Sequence, residues 1–165
     1  MSTTQGTTGD HWRNMRNSFD HDLEKGERAE RFVIEQLKKE MPTLKKIEGY
    51  NPDFDLTDIN GHTIEVKLDS KSRETGNIGI EYRHRGKPTA ISTSKATEWI
   101  IIYFWNQWKY IRVSTRDLRA YIKSNWKYLH KIKGEGDKSS LVLIPVVDME
   151  ESFTFNIIEE RRILL

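Results

Sequence analysis

The chain contains no cysteine, so disulfides and cysteine-ligated zinc sites are excluded. No apolar run approaches the roughly 20 residues that a membrane-spanning helix needs. The first ten residues are mostly Thr, Gly and Ser and lack the apolar core of a signal peptide. The charges nearly cancel, leaving a formal net charge of +2, so bulk charge does not point to a partner. Apolar content is modest and charged content high, which leads us to expect a soluble protein, and the lack of cysteine fits an intracellular, cytoplasmic one. A length of 165 residues suits one domain with a proper core and is short for two. The expected organisation is a disordered tail over residues 1–19 and a single domain over 20–165.

The charges that are present are unevenly placed. Between Tyr82 and Lys95 the basic residues Arg83, Arg85, Lys87 and Lys95 have no acid among them. From Lys109 to Lys133, Arg112, Arg116, Arg119, Lys123, Lys127 and Lys131 are opposed only by Asp117. Such stretches suit either a phosphate-backbone binder or a solvated basic surface.

A first helix is expected from Asp20 or Asp22 to Glu40, because Leu23, Gly26, Ala29, Val33, Leu37 and Met41 recur at helical spacing. Pro42 ends it. At roughly 100° per residue Glu30 falls inside that stripe, Glu27 at its edge and Glu24 opposite. A carboxylate within a core-facing stripe is costly unless it is paired or binds a metal.

Next, Phe54–Ile59 and Thr63–Leu68 flank Asn60-Gly61, a hairpin signal. A two-residue loop would set Asp55 opposite Val66, on the other face from Glu65. A three-residue loop, Asn60-Gly61-His62, sets Asp55 opposite Lys67 and Thr57 opposite Glu65. Only the latter separates an apolar face (Phe54, Leu56, Ile64, Val66, Leu68) from a polar one carrying Asp53, Asp55, Glu65 and Lys67. Asn77–Tyr82 alternates and is expected as a third strand of the same sheet. Ser92 or Thr93 is expected to cap a short helix over Ser94–Glu98. The apolar run Trp99–Trp105 predicts a buried central strand. Lys109–Val113 is a further strand, Ser114 or Thr115 caps a helix, Gly134–Asp137 is a flexible loop, and Leu141–Val147 is a last strand.

Hard divalent cations take oxygen ligands. Asp55, Glu65 and the Val66 carbonyl offer a sparse shell of that type, with Asp53 as a spare ligand and Glu30 to hold a bound water or a second ion. Lys67 beside them could orient an attacking water or offset charge growing on a phosphoryl group. The plain alternative is a surface hairpin with a Glu65–Lys67 ion pair. For nucleic acid, Arg83, His84, Arg85 and Lys87 form a basic loop, Lys95 lies at the N-terminus of the expected short helix, and Asn77 opens the alternating strand. Trp105, Trp108 and Trp126 are more often core residues than base platforms.

The segments Pro52-Asp53-Phe54-Asp55 and Glu65-Val66-Lys67 resemble the PD-(D/E)xK nuclease superfamily, the restriction-endonuclease-like group. Gly26-Glu27-Arg28-Ala29-Glu30 is similar to the Gly-x-x-Ala-Glu of archaeal Holliday-junction resolvases. There the final Glu joins the metal site, which points to Glu30. The run Thr75–Tyr82, with Gly86-Lys87-Pro88 and Ile91–Ala96, looks like a group of viral and phage members. In that group the acid sits between aromatic and aliphatic residues, which favours Asp55 over Asp53, and a residue in the place of Lys95 lies by the scissile region. The resemblance covers about Gly26 to Trp105. It implies an α/β fold with a central mixed β-sheet flanked by helices on both faces, Mg²⁺ or Mn²⁺, and endonucleolytic cleavage of DNA, of phage, mobile-element or junction-resolvase type. Enzymes that cut both strands often dimerise, so a homodimer or higher homo-oligomer is compatible with it. A non-catalytic DNA-binding module on the same fold is the alternative. A structural or assembly protein with a charged surface is a third reading.

Overall fold

The structure is a computed structural model that describes residues 25–49, 51 and 53–159. The expected disordered tail and the start of the first helix lie outside these residues. Helix α1 spans residues 25–36 and passes into turns over 37–40, a few residues short of the expected end. Its apolar stripe is as the spacing predicts: Ala29, Phe32, Val33 and Leu37 are buried.

The chain then makes β1 (Lys45–Lys46), β2 (Leu56–Thr57) and β3 (Thr63–Asp69), followed by a single turn of helix, α2 (Ser72–Thr75). After β4 (Asn77–His84) and β5 (Lys87–Pro88) come a 3₁₀ turn (Ala90–Ser92), β6 (Glu98–Trp105) and β7 (Gln107–Ser114). Helix α3 (Thr115–Asn125), β8 (His130–Lys133), β9 (Ser139–Pro145), α4 (Val146–Ser152) and β10 (Phe155–Ile157) complete the order. A 3₁₀ turn over Glu135–Asp137 occupies the expected flexible loop. The Ser114 side chain accepts from the Asp117 N–H and caps α3, as its position before the helix predicts.

Two sheets form. One has the strand order β1-β2-β3-β6-β7-β10 and is mixed, with β3 and β6 parallel and the other pairs antiparallel. The other is antiparallel with order β5-β4-β9-β8. The fold is therefore α/β with a mixed sheet. Strand β6 is covered on both sides, which explains its unbroken apolar run. Ile100 and Ile102 join Leu56, Ile64 and the α1 stripe in one core. Trp99, Ile101 and Tyr103 join Ile78, Ile80, Val142, Ile144 and α3 residues Leu118 and Ile122 in the other.

Several expectations are corrected. Strand β4 does not extend the hairpin's sheet. It pairs with β5 and β9 in the second sheet, so one face of the mixed sheet is covered by a sheet together with α3 rather than by helices alone. The fold-over is fixed by buried Asp69, whose carboxylate accepts from the Ser72 N–H (3.0 Å) and the Gly79 N–H (2.9 Å). The expected helix over Ser94–Glu98 is absent. Residues 93–97 are irregular, because Ser94 and Thr97 are engaged in tertiary hydrogen bonds. The Ser94 hydroxyl accepts from the Trp99 indole (3.3 Å), and the Thr97 N–H donates to the Thr63 hydroxyl (3.0 Å).

The hairpin loop is five residues long rather than three. Leu56 pairs with Ile64 and Thr57 with Thr63. Asp58 Oδ1 accepts from the backbone N–H groups of Asn60 and His62, and the Asp58 N–H bonds the His62 carbonyl, so a side chain closes a wider turn. The register shifts by two, which preserves the faces. Leu56 and Ile64 are fully buried, and Val66 and Leu68 pack on the same core. Phe54 departs from this set and packs against the other core.

Candidate functional site

Because Ile64, Val66 and Leu68 face α1, Glu65, Lys67 and Asp69 alternate onto the opposite face of β3. Asp69 is consumed by the fold-over described above. Among the described residues Glu65 and Lys67 form no such hydrogen bond or ion pair. Asp55 precedes β2. Its N–H bonds the Ile64 carbonyl (3.0 Å), and its Oδ2 accepts from the Val66 N–H (2.8 Å). The carboxylate thus takes the place of a backbone rung and is pinned to the middle residue of Glu65-Val66-Lys67. The surface ion pair of the plain alternative is not formed: no salt bridge joins Glu65 to Lys67 among the described residues.

Three carboxylates act on one another here. The Glu65 carboxyl is pushed up to about 8, chiefly by burial, then by the charges of Asp55 and Glu30, with Lys67 opposing. Burial also raises Asp55, against the Val66 N–H bond, and Glu30 raises it further while Lys46 opposes. Like charges brought into a partly dry site cannot all ionise without a compensating cation. Glu30 comes from α1, flanked by buried Ala29 and Val33, and its side chain is 17% exposed.

Lys46 of β1 was not singled out by sequence. Its Nζ lies 3.2 Å from Glu30 Oε2 and 3.6 Å from Glu27 Oε1, and these acids raise its pKa. Strand β1 is two exposed residues long and carries no periodic signal, so only its pairing with β2 reveals the role. Although Lys46 is near, Glu30 Oε2 is buried and accepts no hydrogen bond.

The donor chemistry fits a hard divalent cation: the donors are carboxylate oxygens, Glu30 Oε2 is buried with only the Lys46 ammonium near it, and the Val66 carbonyl stands between Glu65 and Lys67. The side chains do not enclose an ion as they stand. Among the described residues no group of three or more His, Asp and Glu is placed to hold one. Asp53 is not one pleat out on a strand, since β2 begins only at Leu56. It is half-exposed, and its carboxylate lies 3.9 Å from Lys95 Nζ.

That contact brings Lys95 towards the hairpin, although no helix presents it. Arg83, His84, Arg85 and Lys87 gather on the β4–β5 hairpin, whose turn residues Arg85 (φ 50°) and Gly86 (φ 77°) are both left-handed, as a tight two-residue turn requires. Arg83, Arg85 and Lys87 are exposed. His84 is tied down, with Nδ1 3.0 Å from the Ser139 hydroxyl, which in turn donates to Glu81. Asn77 is not brought to this group. It opens β4, about 23 Å from His84 at ~3.3 Å per residue, and its amide donates to the Thr75 carbonyl. Trp105 packs over Gly76 and Trp108 against Phe104. Trp126 is partly exposed.

No family model matches the chain, and no curated protein matches its sequence.

Proposed function

We propose that the protein is a Mg²⁺- or Mn²⁺-dependent endodeoxyribonuclease with a restriction-endonuclease-like core, of phage, mobile-element or junction-resolvase type. The observation that carries this reading is the Asp55 carboxylate bonded to the Val66 N–H (2.8 Å), the residue between Glu65 and Lys67, with the electrostatic opposition of Asp55, Glu65 and Glu30 in support. An ordinary folding role does not account for it.

Asp55, Glu65, Glu30 and the Val66 carbonyl would hold the cation, which when bound polarises a phosphoryl oxygen and lowers the pKa of water. Asp55 is oriented by the Val66 N–H. Lys67, on the same face as Glu65, orients the attacking water and offsets charge that develops on the phosphate. Lys46 restrains Glu30. Arg83, Arg85, Lys87 and Lys95 receive flanking phosphates, so binding weakens steeply with salt. Among the described residues no helix is long and apolar enough to cross a membrane.

A non-catalytic DNA-binding module is the second reading, favoured by the absence of a ready-made ion cage among the described residues. Incubation of plasmid, branched and single-stranded DNA with Mn²⁺ separates the two. Products that vanish with Glu65→Ala and Lys67→Ala support the nuclease. Retardation without products, or cleavage indifferent to both substitutions, contradicts it.

A further inference from the structure

The hydrolytic reading leaves a second feature unused. An open groove of about 500 Å³ is lined by Tyr82, Ile91, Ser92, Arg119, Ile122, Lys123 and Trp126. Its floor is apolar, since Ile91 and Ile122 are buried. Its aromatic wall is two rings set perpendicular, Tyr82 and Trp126, with centroids 5.0 Å apart at 88°. Its rim is cationic. Arg119 spends its hydrogen bonds on the carbonyls of Ile91 and Ser94 (2.7 and 2.6 Å). Lys131 sits 4.5 Å from the Trp126 ring centre. Neither Arg119, Lys123 nor Lys131 forms a salt bridge with a carboxylate among the described residues.

This combination is unusual for a packing defect. A defect between α3 and the second sheet would be closed by apolar side chains. Here an apolar slot is edged by cations that form no carboxylate ion pair among the described residues. The chemistry that matches is a planar, weakly polar ring carrying an adjacent anion, which is a nucleobase with its phosphate.

Position strengthens the match. The groove is edged by the segment Ala90–Lys95, and at the far end of that segment Lys95 meets Asp53, two residues from Asp55. Ser92 and Lys95 are three residues apart, at most about 10 Å of chain. One short segment thus borders the groove at one end and meets the hairpin's acidic residue Asp53 at the other.

We infer that the groove holds an unpaired nucleotide of the DNA strand, with the base against the Trp126 ring over the isoleucine floor and its phosphate at Lys123. The inference rests on the nuclease reading for its choice of DNA and deepens it: the substrate is one with a single-stranded or splayed segment. A base in a stacked duplex is not available to such a slot.

The test measures binding of a fluorescein-labelled dT₁₂ and of a 12-base-pair duplex by anisotropy in EDTA, where cleavage does not interfere. Wild-type protein is expected to bind dT₁₂ more tightly than the duplex. Trp126→Ala should weaken dT₁₂ by roughly 5- to 100-fold and leave the duplex within about twofold. Trp126→Phe, which keeps an aromatic ring, should restore most of the affinity. Lys123→Gln, an exposed substitution that spares the fold, should lower the salt slope for dT₁₂ by about one.

Equal losses on both DNAs, no loss on dT₁₂, or no binding of dT₁₂ by the wild type would each overturn the groove assignment. Cleavage with Mn²⁺ is read separately. A groove that binds dT₁₂ in a protein that never cuts refutes the nuclease alone. Cutting that persists with dT₁₂ affinity indifferent to Trp126 refutes the groove alone.

Discussion

Two clusters of charge in this molecule, both partly withdrawn from water, are handled in opposite ways. In the first, Lys109 Nζ and the Tyr103 hydroxyl both donate to Glu150 Oε1 at 2.8 Å, and Phe155 stacks near the ammonium (4.9 Å). One cation, one anion and one hydroxyl satisfy each other. In the second, Glu30, Asp55 and Glu65 repel one another, with Lys46 and Lys67 only partly compensating. The first arrangement looks after itself and belongs to the fold. The second is left short of positive charge, and a site short of charge is where a ligand that supplies it will bind.

The comparison predicts contrasting outcomes. The largest concerns activity: Glu65→Ala and Lys67→Ala should each lower Mn²⁺-dependent DNA cleavage by on the order of 10²–10⁴-fold while melting close to the wild type, as read by plasmid nicking and a thermal scan. Next comes Lys109→Met, which strands the carboxylate of Glu150. It should cost about 3 kcal/mol in urea unfolding, whereas Glu65→Gln in EDTA should be neutral or stabilising. If both clusters responded alike to loss of one charge, the distinction between them would fail.

A smaller effect follows from Glu65 alone. Its folded-state carboxyl titrates near 8 against an ordinary value of 4.5, so the unfolded chain releases its proton first. Stability without metal should therefore be full below about pH 4.5 as far as this group is concerned. It should decline as pH rises towards 8, by on the order of 1–3 kcal/mol after solvent screening. Urea melts across pH 5–8 in EDTA check this, and Glu65→Gln should flatten the decline. The smallest change is expected at the β4–β5 hairpin. Arg85→Ala with Lys87→Ala should reduce the salt dependence of DNA binding by about two in slope, without altering stability.

How much of this was legible in the sequence differs from segment to segment for physical reasons. The α1 stripe and the two-sided burial of β6 followed from periodicity and from an unbroken apolar run. The separation of Asp55, Glu65 and Lys67 from Leu56 and Ile64 also followed, because face parity survives a register error of two residues. Loop length did not, since the Asp58 carboxylate closes a wider turn that no hydrophobic pattern encodes. Alternation in Asn77–Tyr82 identifies a strand but not its sheet. That choice is made by Asp69 reaching the Gly79 N–H. Ser/Thr-rich 92–97 reads locally as a cap and a helix, yet its hydroxyls and amides are spent on tertiary partners. Lys46 was invisible because a two-residue edge strand has no pattern. The Tyr82–Trp126 groove joins residues 44 positions apart, and separation of that kind carries no local signal.

The most direct test of the account is a thermal melt at pH 7.5 in EDTA and again with excess Mn²⁺, for the wild type and for Asp55→Ala and Glu65→Ala. We predict that Mn²⁺ raises the wild-type Tm by several degrees, as binding to the folded state alone requires, and that either substitution abolishes the rise. A wild-type Tm unmoved by Mn²⁺, or an equal rise in all three proteins, would contradict the claim that these carboxylates form a cation site.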